Sequence, residues 1–102
     1  MSPQADTPSY AHPGAAWRDV LVTHNMTQLD LATRSGVSKK HVNQIVQGQA
    51  LPSAVTVAKL ARVLDSTRPL EKQDGGRRLA RALWSLQSQY VLAHAFDAVE
   101  AS

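Results

Sequence analysis

Cysteine is absent from this chain of 102 residues, and so is any long run of apolar side chains. The lack of cysteine excludes a disulfide framework and thiolate chemistry. No apolar stretch approaches the ~20 residues that a helix needs to cross a bilayer. The N-terminus also lacks the charged-then-apolar order of a signal peptide. We therefore expect a cytoplasmic protein without a membrane span.

Catalytic and metal-binding patterns are missing as well. The aspartates are scattered, and the sequence has no paired carboxylates, no nucleophile beside a base and no glycine-rich phosphate loop. The four histidines, at positions 12, 24, 41 and 94, have no spacing typical of metal ligands. The sequence predicts neither an enzyme nor a protein with a bound metal or cofactor.

Acidic side chains are absent from residues 31–64, between Asp30 and Asp65. The basic side chains of the same stretch are Arg34, Lys39, Lys40, Lys59 and Arg62. The whole chain has a formal net charge of +3 and an isoelectric point near 9.7. A local excess of positive charge favours a polyanionic partner, such as the phosphates of a nucleic acid.

Residues 27–48 predict two short helices joined by a tight turn. Thr27 is a good N-cap for the first helix, with Asp30 three residues later. Gly36 supplies a left-handed turn, and Ser38 caps the second helix. The apolar residues of that helix follow the i, i+3, i+4 spacing of a buried face: Val42, Ile45 and Val46. This is the pattern of a helix-turn-helix.

The outward face of the second helix carries side chains that suit the reading of DNA. Amide and ammonium groups donate to base edges in the major groove, and we expect residues 38–47 to enter that groove with their N-terminal turn leading. The base-edge candidates are Lys39, Lys40, Asn43 and Gln44. Simple attraction to phosphates explains the two lysines equally well.

Six further residues are candidates for contacts with DNA, chiefly with its backbone. They are Thr27, Gln28, Arg34, Ser38, His41 and Gln47. Thr27 and Ser38 are first of all N-caps. Gln28 could instead be an ordinary exposed helical glutamine, and His41 a half-packed surface residue.

The rest of the chain also predicts helices and no strand, so the expected fold class is all-α. Residues 14–24 predict a first helix, with Leu29 and Leu31 on the helix that follows it. A fourth helix begins after Ser53 and continues to about residue 64. The expected division is a flexible arm over 1–13, a DNA-binding domain over 14–65, a connector over 66–76 and a C-terminal helix over 77–99.

One apolar stripe follows the C-terminal helix, and it consists of Leu79, Leu83, Leu86 and Tyr90. Packing on the protein's own core is the default for such a face, and a partner protein could also occupy it. We expect it to form a homodimer, because a monomeric reader of a few base pairs has little specificity and symmetry doubles the site. The expected operator is pseudo-palindromic, with half-sites about 34 Å apart.

The helix-turn-helix resembles that of the Cro and C1 repressor family. The family pattern of glutamine, alanine, glycine and a branched apolar residue is matched by Gln28, Ala32, Gly36 and Val42. A following motif of the family is matched by Gly48, Pro52, Ser53, Thr56, Lys59, Leu60 and Ala61. The resemblance implies a five-helix lambda-repressor-like domain with a longer C-terminal helix. It also implies a nucleoid-associated repressor of transcription that binds double-stranded DNA.

A narrower similarity is to the HigA-type antitoxins. The residues that carry it are His12, Pro13, Gly14, Leu86, Gln87, Tyr90 and Leu92. The resemblance implies the antitoxin of a type II toxin–antitoxin pair, which represses its own operon and neutralises a toxin that cleaves RNA. Two alternatives stay open: a stand-alone phage-type or metabolic repressor, and a protein–protein interaction module that keeps the helix-turn-helix as a scaffold.

Overall fold

The computed structural model describes residues 11–101, most of which lie in five α helices. They are α1 (Pro13–Thr23), α2 (Gln28–Ser35), α3 (Lys39–Val46), α4 (Ala54–Asp65) and α5 (Arg77–Ala101). A short 3-10 helix, Leu70–Lys72, lies in the connector before α5, and residues 11–101 contain no strand. The all-α fold class is confirmed. Most of the predicted N-terminal arm lies outside the described residues.

Hydrogen bonds between near neighbours cap the N-termini of α2 and α3, and a glycine makes the turn between them. Thr27 Oγ1 accepts from the backbone N–H of Asp30 at 3.0 Å, and the Asp30 carboxylate accepts from the N–H of Thr27 at 3.4 Å. The two bonds form a capping box. Gly36 ends α2 with a φ of 76°, which glycine adopts without a steric cost. Ser38 Oγ then caps α3 by accepting from the N–H of His41 at 3.1 Å.

A core of mostly aliphatic side chains holds the five helices together, with Trp17 of α1 only 1% exposed. The predicted inward residues of α3 are buried, namely Val42, Ile45 and Val46. Helix α4 buries Val57, Leu60, Ala61 and Leu64. Leu29 of α2 is 55% exposed. It precedes the buried Leu31 by two residues, which places it on the opposite side of the helix.

Helix α1 begins against the end of α3, and the residues just before it belong to the fold. Pro13 is the first helical residue, and both Pro13 and Gly14 are buried. A β-carbon at Gly14 would overlap the carbonyl oxygen of Ile45, so only glycine permits this close approach. The ring of His12 lies over Gly48 at the exit of α3. Pro13 is thus part of α1, and not of the arm in which the sequence placed it.

The first half of α5 packs against α1 and α4. Leu83 is 4% exposed, and Leu79 and Leu86 pack partly buried against the same core. Gln87 is 7% exposed, and its Nε2 donates to the carbonyl oxygen of Pro52 at 2.9 Å. Of the predicted interface stripe, Leu83 is therefore part of the protein's own core, and Leu79 and Leu86 are partly covered by it.

Two aspartates join α4 to α5. Asp65, which is 2% exposed, accepts from the N–H groups of Asp74 at 2.9 Å and Gly76 at 3.1 Å, and it pairs with Arg68 at 3.5 Å. Asp74 in turn accepts from the N–H of Arg78 at 2.9 Å. This bond, more than any other contact, lowers the pKa of the Asp74 carboxyl from its ordinary value. The connector is therefore held in place by side chains.

The second half of α5 extends past the core. From residue 88 to residue 101 every side chain is exposed except that of Tyr90, which is half-buried beside the ring of His94. Four large apolar side chains in this half are 45% to 69% exposed: Val91, Leu92, Phe96 and Val99. On an ideal helix they span about 140° of the circumference, and we refer to these four as the distal face of α5.

Candidate nucleic-acid interface

The candidate interface lies on the exposed side of α3, which packs on α1 and α2 with its other side. The exposed residues there are Lys39, Lys40, Asn43 and Gln47. His41 and Gln44 are half-buried between the exposed and the buried sides. The predicted division of this helix into an apolar side and a polar side is confirmed.

Gln28 and Asn43 are joined across α2 and α3. Asn43 Nδ2 donates to Gln28 Oε1 at 3.0 Å, although the two residues are 15 positions apart in the chain. Each amide keeps further donors or acceptors for a ligand after this bond forms. Because the bond holds both side chains in one orientation beforehand, less side-chain entropy is lost when a ligand binds. The structure thus brings together two of the predicted site residues.

Two lysines occupy the first turn of α3, directly after the N-cap Ser38. Lys39 and Lys40 are both exposed, and in the described part of the chain neither forms an ion pair with a carboxylate. The free N–H groups at the start of a helix add partial positive charge at the same place. Ammonium groups in this position suit phosphate oxygens or the O6 and N7 acceptors of guanine.

The exit from α3 is ordered by backbone hydrogen bonds. The N–H of Gln47 donates to the carbonyl of Asn43 at 2.9 Å, and the N–H of Gln49 donates to the carbonyl of Gln44 at 2.8 Å. Among the candidates His41, Gln44 and Gln47, the last exposes its side chain most fully. The exit therefore presents Gln47 on a rigid turn, and not on a loose loop.

Arg34 lies apart from these residues, at the C-terminal end of α2. Its Nη2 donates to Ser66 Oγ at 3.1 Å, just past the end of α4. Arg34 also lines a depression of about 370 Å³ together with Lys59 and Arg62. The sequence grouped these cations with the lysines of α3, because no carboxylate separates them along the chain. In the fold, Arg34, Lys59 and Arg62 line one depression that does not include Lys39 or Lys40, and the sequence had no signal for that grouping.

Within residues 11–101, no three histidine, aspartate or glutamate side chains lie close enough to share a metal ion. No helix in the same range combines the length and the apolar content that crossing a bilayer requires.

The helix-turn-helix family HTH_3 matches residues 18–71, a segment that includes all of α2, α3 and α4. No curated protein and no solved structure matches the chain. The matched segment contains the Gln28–Asn43 pair and both lysines of α3, and it amounts to more than half of the 102 residues. The chain therefore belongs to the helix-turn-helix family HTH_3, a family of DNA-binding transcription regulators.

Proposed function

We propose that the protein is a sequence-specific repressor that binds a double-stranded operator with the exposed side of α3. The observation that carries this proposal is the hydrogen-bonded pair of Gln28 and Asn43 next to Lys39 and Lys40. Asn43 and the two lysines offer amide and ammonium donors on α3, whose other side packs into the core. A surface of this kind is suited to base edges and phosphates together.

The dimensions of α3 agree with this role. An α helix with its side chains is about 10–12 Å across, and the major groove of B-DNA, about 12 Å wide, admits one such helix. In the groove, Asn43 pairs with the N6 and N7 atoms of an adenine while Gln28 braces it. Gln44 is the second amide on this side, and it is half-buried.

Phosphate contacts then fix the register of α3 in the groove. Lys39 and Lys40 supply charge at the leading turn, and Gln47 supplies an amide at the trailing end. The hydroxyls of Thr27 and Ser38, together with the N–H groups behind them, mark the two helix N-termini that face the backbone. Arg34 donates one N–H to Ser66, and its remaining N–H groups can meet a phosphate at the edge of this surface.

A homodimer formed through the distal face of α5 completes the proposal. Large apolar side chains that a monomer leaves in water are typical of surfaces that another protein covers. An isologous pairing of two α5 helices buries Val91, Leu92, Phe96 and Val99 of both copies. Residues 14–65 then form the DNA-binding part and α5 the dimerisation part. The operator is a pseudo-palindrome with half-sites about 34 Å apart.

We also propose that this repressor is the antitoxin of a type II pair and neutralises a toxin that cleaves RNA. The support is the resemblance to HigA-type antitoxins carried by residues at the two ends of the chain. In the fold, Gly14 approaches the end of α3 and Gln87 binds Pro52, so these residues assemble the domain. The antitoxin role is tested by expressing the adjacent reading frame alone and with this chain. Growth arrest that this chain relieves supports the role, and a harmless neighbour excludes it while leaving operator binding intact.

The repressor proposal is tested by footprinting the DNA upstream of the gene with the purified protein. We expect a protected pseudo-palindrome, and an affinity that falls steeply as salt rises, because bound phosphates release counterions. The Asn43→Ala variant should bind the operator about 1–3 kcal/mol more weakly, and it should discriminate less between bases at one operator position. Gln89→Ala on α5 is the matched control, since it removes an exposed amide far from α3. Failure to protect any duplex in dilute buffer would refute the proposal.

A further inference from the structure

A groove along the junction of α4 and α5 has no role in the reading of DNA. It contains a depression of about 590 Å³ lined in part by Lys59, Arg62 and Arg77, and another of about 210 Å³ beside Arg81 and Trp84. Arg77, Arg81 and Trp84 succeed one another on one side of α5 at spacings of four and three. The two depressions therefore follow one another along α5. We name this groove the α4–α5 seam and define it by Val55, Lys59, Arg62, Arg77, Arg81 and Trp84.

One half of the seam is cationic. Lys59, Arg62, Arg77 and Arg81 are all exposed, and no carboxylate lines either depression in the described part of the chain. Arg77 Nη1 donates to the backbone carbonyl of Asp74 at 3.1 Å, so its guanidinium is held at one edge. The remaining N–H groups of a guanidinium held in this way are free for a carboxylate in a bidentate geometry.

The other half of the seam is apolar. Carbon atoms make up nearly all of the lining of the smaller depression, where Ala54, Val57 and Ala80 surround Trp84. Trp84 is 40% exposed and Val55 is 65% exposed. Tryptophan and arginine are the residue types that contribute most to the binding energy of protein interfaces. The seam combines both types in one groove.

DNA and a second copy of this chain fit the seam less well than an acidic protein does. Contacts with the DNA backbone require cations but no apolar depression, and α5 packs on α1 and α4, whereas α3 packs on α1 and α2. A second copy would present the same seam in an isologous contact, so that cations would face cations. The chain as a whole is also positive, with a net charge of +3.

We propose that the α4–α5 seam binds an acidic segment of a partner protein. Aspartate or glutamate side chains of that segment pair with the four cations, and one of its large apolar side chains enters the depression beside Trp84. The inference does not rest on DNA binding, because the seam and the exposed side of α3 are built by different helices. A partner of this chemistry can therefore be bound while α3 occupies an operator.

The test begins with a displayed library of random peptides that is selected on the wild-type chain and counter-selected on the double variant Arg62→Glu and Arg77→Glu. The enriched peptides should carry aspartate or glutamate around a leucine, phenylalanine or tryptophan. They should bind wild type at least about tenfold more tightly than the double variant, as expected for the loss of central arginine contacts. Arg18→Glu, which reverses one exposed charge on α1, should bind like wild type.

A second variant tests the apolar half without changing the charge. Trp84→Ala should weaken the selected peptides by a similar factor, and bound peptide should shift the NMR signals of residues 54–62 and the indole N–H of Trp84. Thermal unfolding of each variant shows that the fold is kept. The proposal is overturned by any of three results: no enrichment over the double variant, peptide shifts on α3 instead, or equal binding of an acidic peptide without apolar residues. It is also overturned if the charge reversals weaken an operator duplex as much as Lys40→Glu does, because the seam is then a contact with the DNA backbone.

Discussion

Helices α3 and α5 both pack one side on α1, yet they expose opposite chemistries. α3 has eight residues and shows amides and ammonium groups to solvent, whereas α5 has 25 residues and shows large apolar side chains along its second half. A polar surface held rigid is suited to a nucleic acid, and an uncovered apolar surface is suited to a protein. The two helices therefore present different chemistries to solvent within one small domain.

The largest effect is expected on the free energy of unfolding, when a buried and an exposed leucine of α5 are each replaced by alanine. Leu83→Ala should lower the free energy of unfolding by about 2–5 kcal/mol, because Leu83 is 4% exposed and its loss leaves a cavity. Leu92→Ala should change it by less than about 0.5 kcal/mol, since Leu92 is 58% exposed. Urea denaturation at a dilution that favours monomer measures both values. Equal losses would show that the two sides of α5 are not distinct.

The next effect concerns the distal face as a dimer contact. The double variant Leu92→Glu and Phe96→Glu should raise the dissociation constant of the dimer by about 30-fold or more, because each change places a charge in an apolar interface. The charge-matched control, Ala93→Glu with Ala101→Glu, puts the same two charges outside the distal face. Analytical sedimentation distinguishes them. A wild-type chain that is monomeric at micromolar concentration would contradict the proposed dimer.

The polar side of α3 is tested by coupling Gln28 to Asn43. Asn43→Ala should cost about 1–3 kcal/mol of operator binding, and Gln28→Ala should cost much less when Asn43 has already been removed. The coupling energy of the double-mutant cycle should be about 0.5–3 kcal/mol, because the two amides are hydrogen-bonded. Titrations of a fluorescent operator duplex supply the four affinities. Strict additivity would mean that Gln28 does not brace Asn43.

A smaller effect, on the salt dependence of operator binding, should distinguish Lys40 of α3 from Lys59 of the α4–α5 seam. The logarithm of the binding constant falls linearly with the logarithm of salt concentration, and the slope reflects the number of phosphate contacts. Lys40→Ala should reduce the magnitude of this slope by about 1, since one phosphate contact is lost. Lys59→Ala, on the α4–α5 seam, should leave that slope unchanged. Operator binding measured over a series of salt concentrations checks both variants. Identical slopes for the two variants would mean that Lys59 also contacts a phosphate, which would contradict the role assigned to the α4–α5 seam.

The smallest effect is a pH dependence at the start of α5. Asp74→Ala should reduce stability at neutral pH, because the ionised carboxylate accepts from the N–H groups of Gly76 and Arg78. The pKa of Asp74 is lowered in the folded chain, so its contribution is present above the ordinary pKa and is lost as the pH falls through the lowered one. Urea denaturation at neutral and acidic pH should show wild type and variant converging in acid. Asp19→Ala on α1 is the control, and no convergence would contradict this role.

Local features of the fold were predictable because their causes are close together in the chain. The capping box joins Thr27 to Asp30, and the second cap joins Ser38 to His41, both over three residues. The left-handed turn at Gly36 is a property of one residue. The exposed and buried sides of α3 follow from the helical period alone. The sequence therefore located the helix-turn-helix and its polar side.

Contacts over long separations were decided by the tertiary structure. Arg34 turns to Ser66, 32 residues away, and Gln87 turns to the carbonyl of Pro52, 35 residues away. No local pattern encodes either partner.

The amino-acid order of α5 determined that it would be a long helix with apolar residues on more than one side. It did not determine which side would be buried, because Leu83 and Leu92 belong to different sides and the helical period favours neither. The positions of α1 and α4 decide which side is buried, because these helices cover Leu83 and leave Leu92 in water. Burial depends on which surfaces meet, and that is a property of the assembled helices.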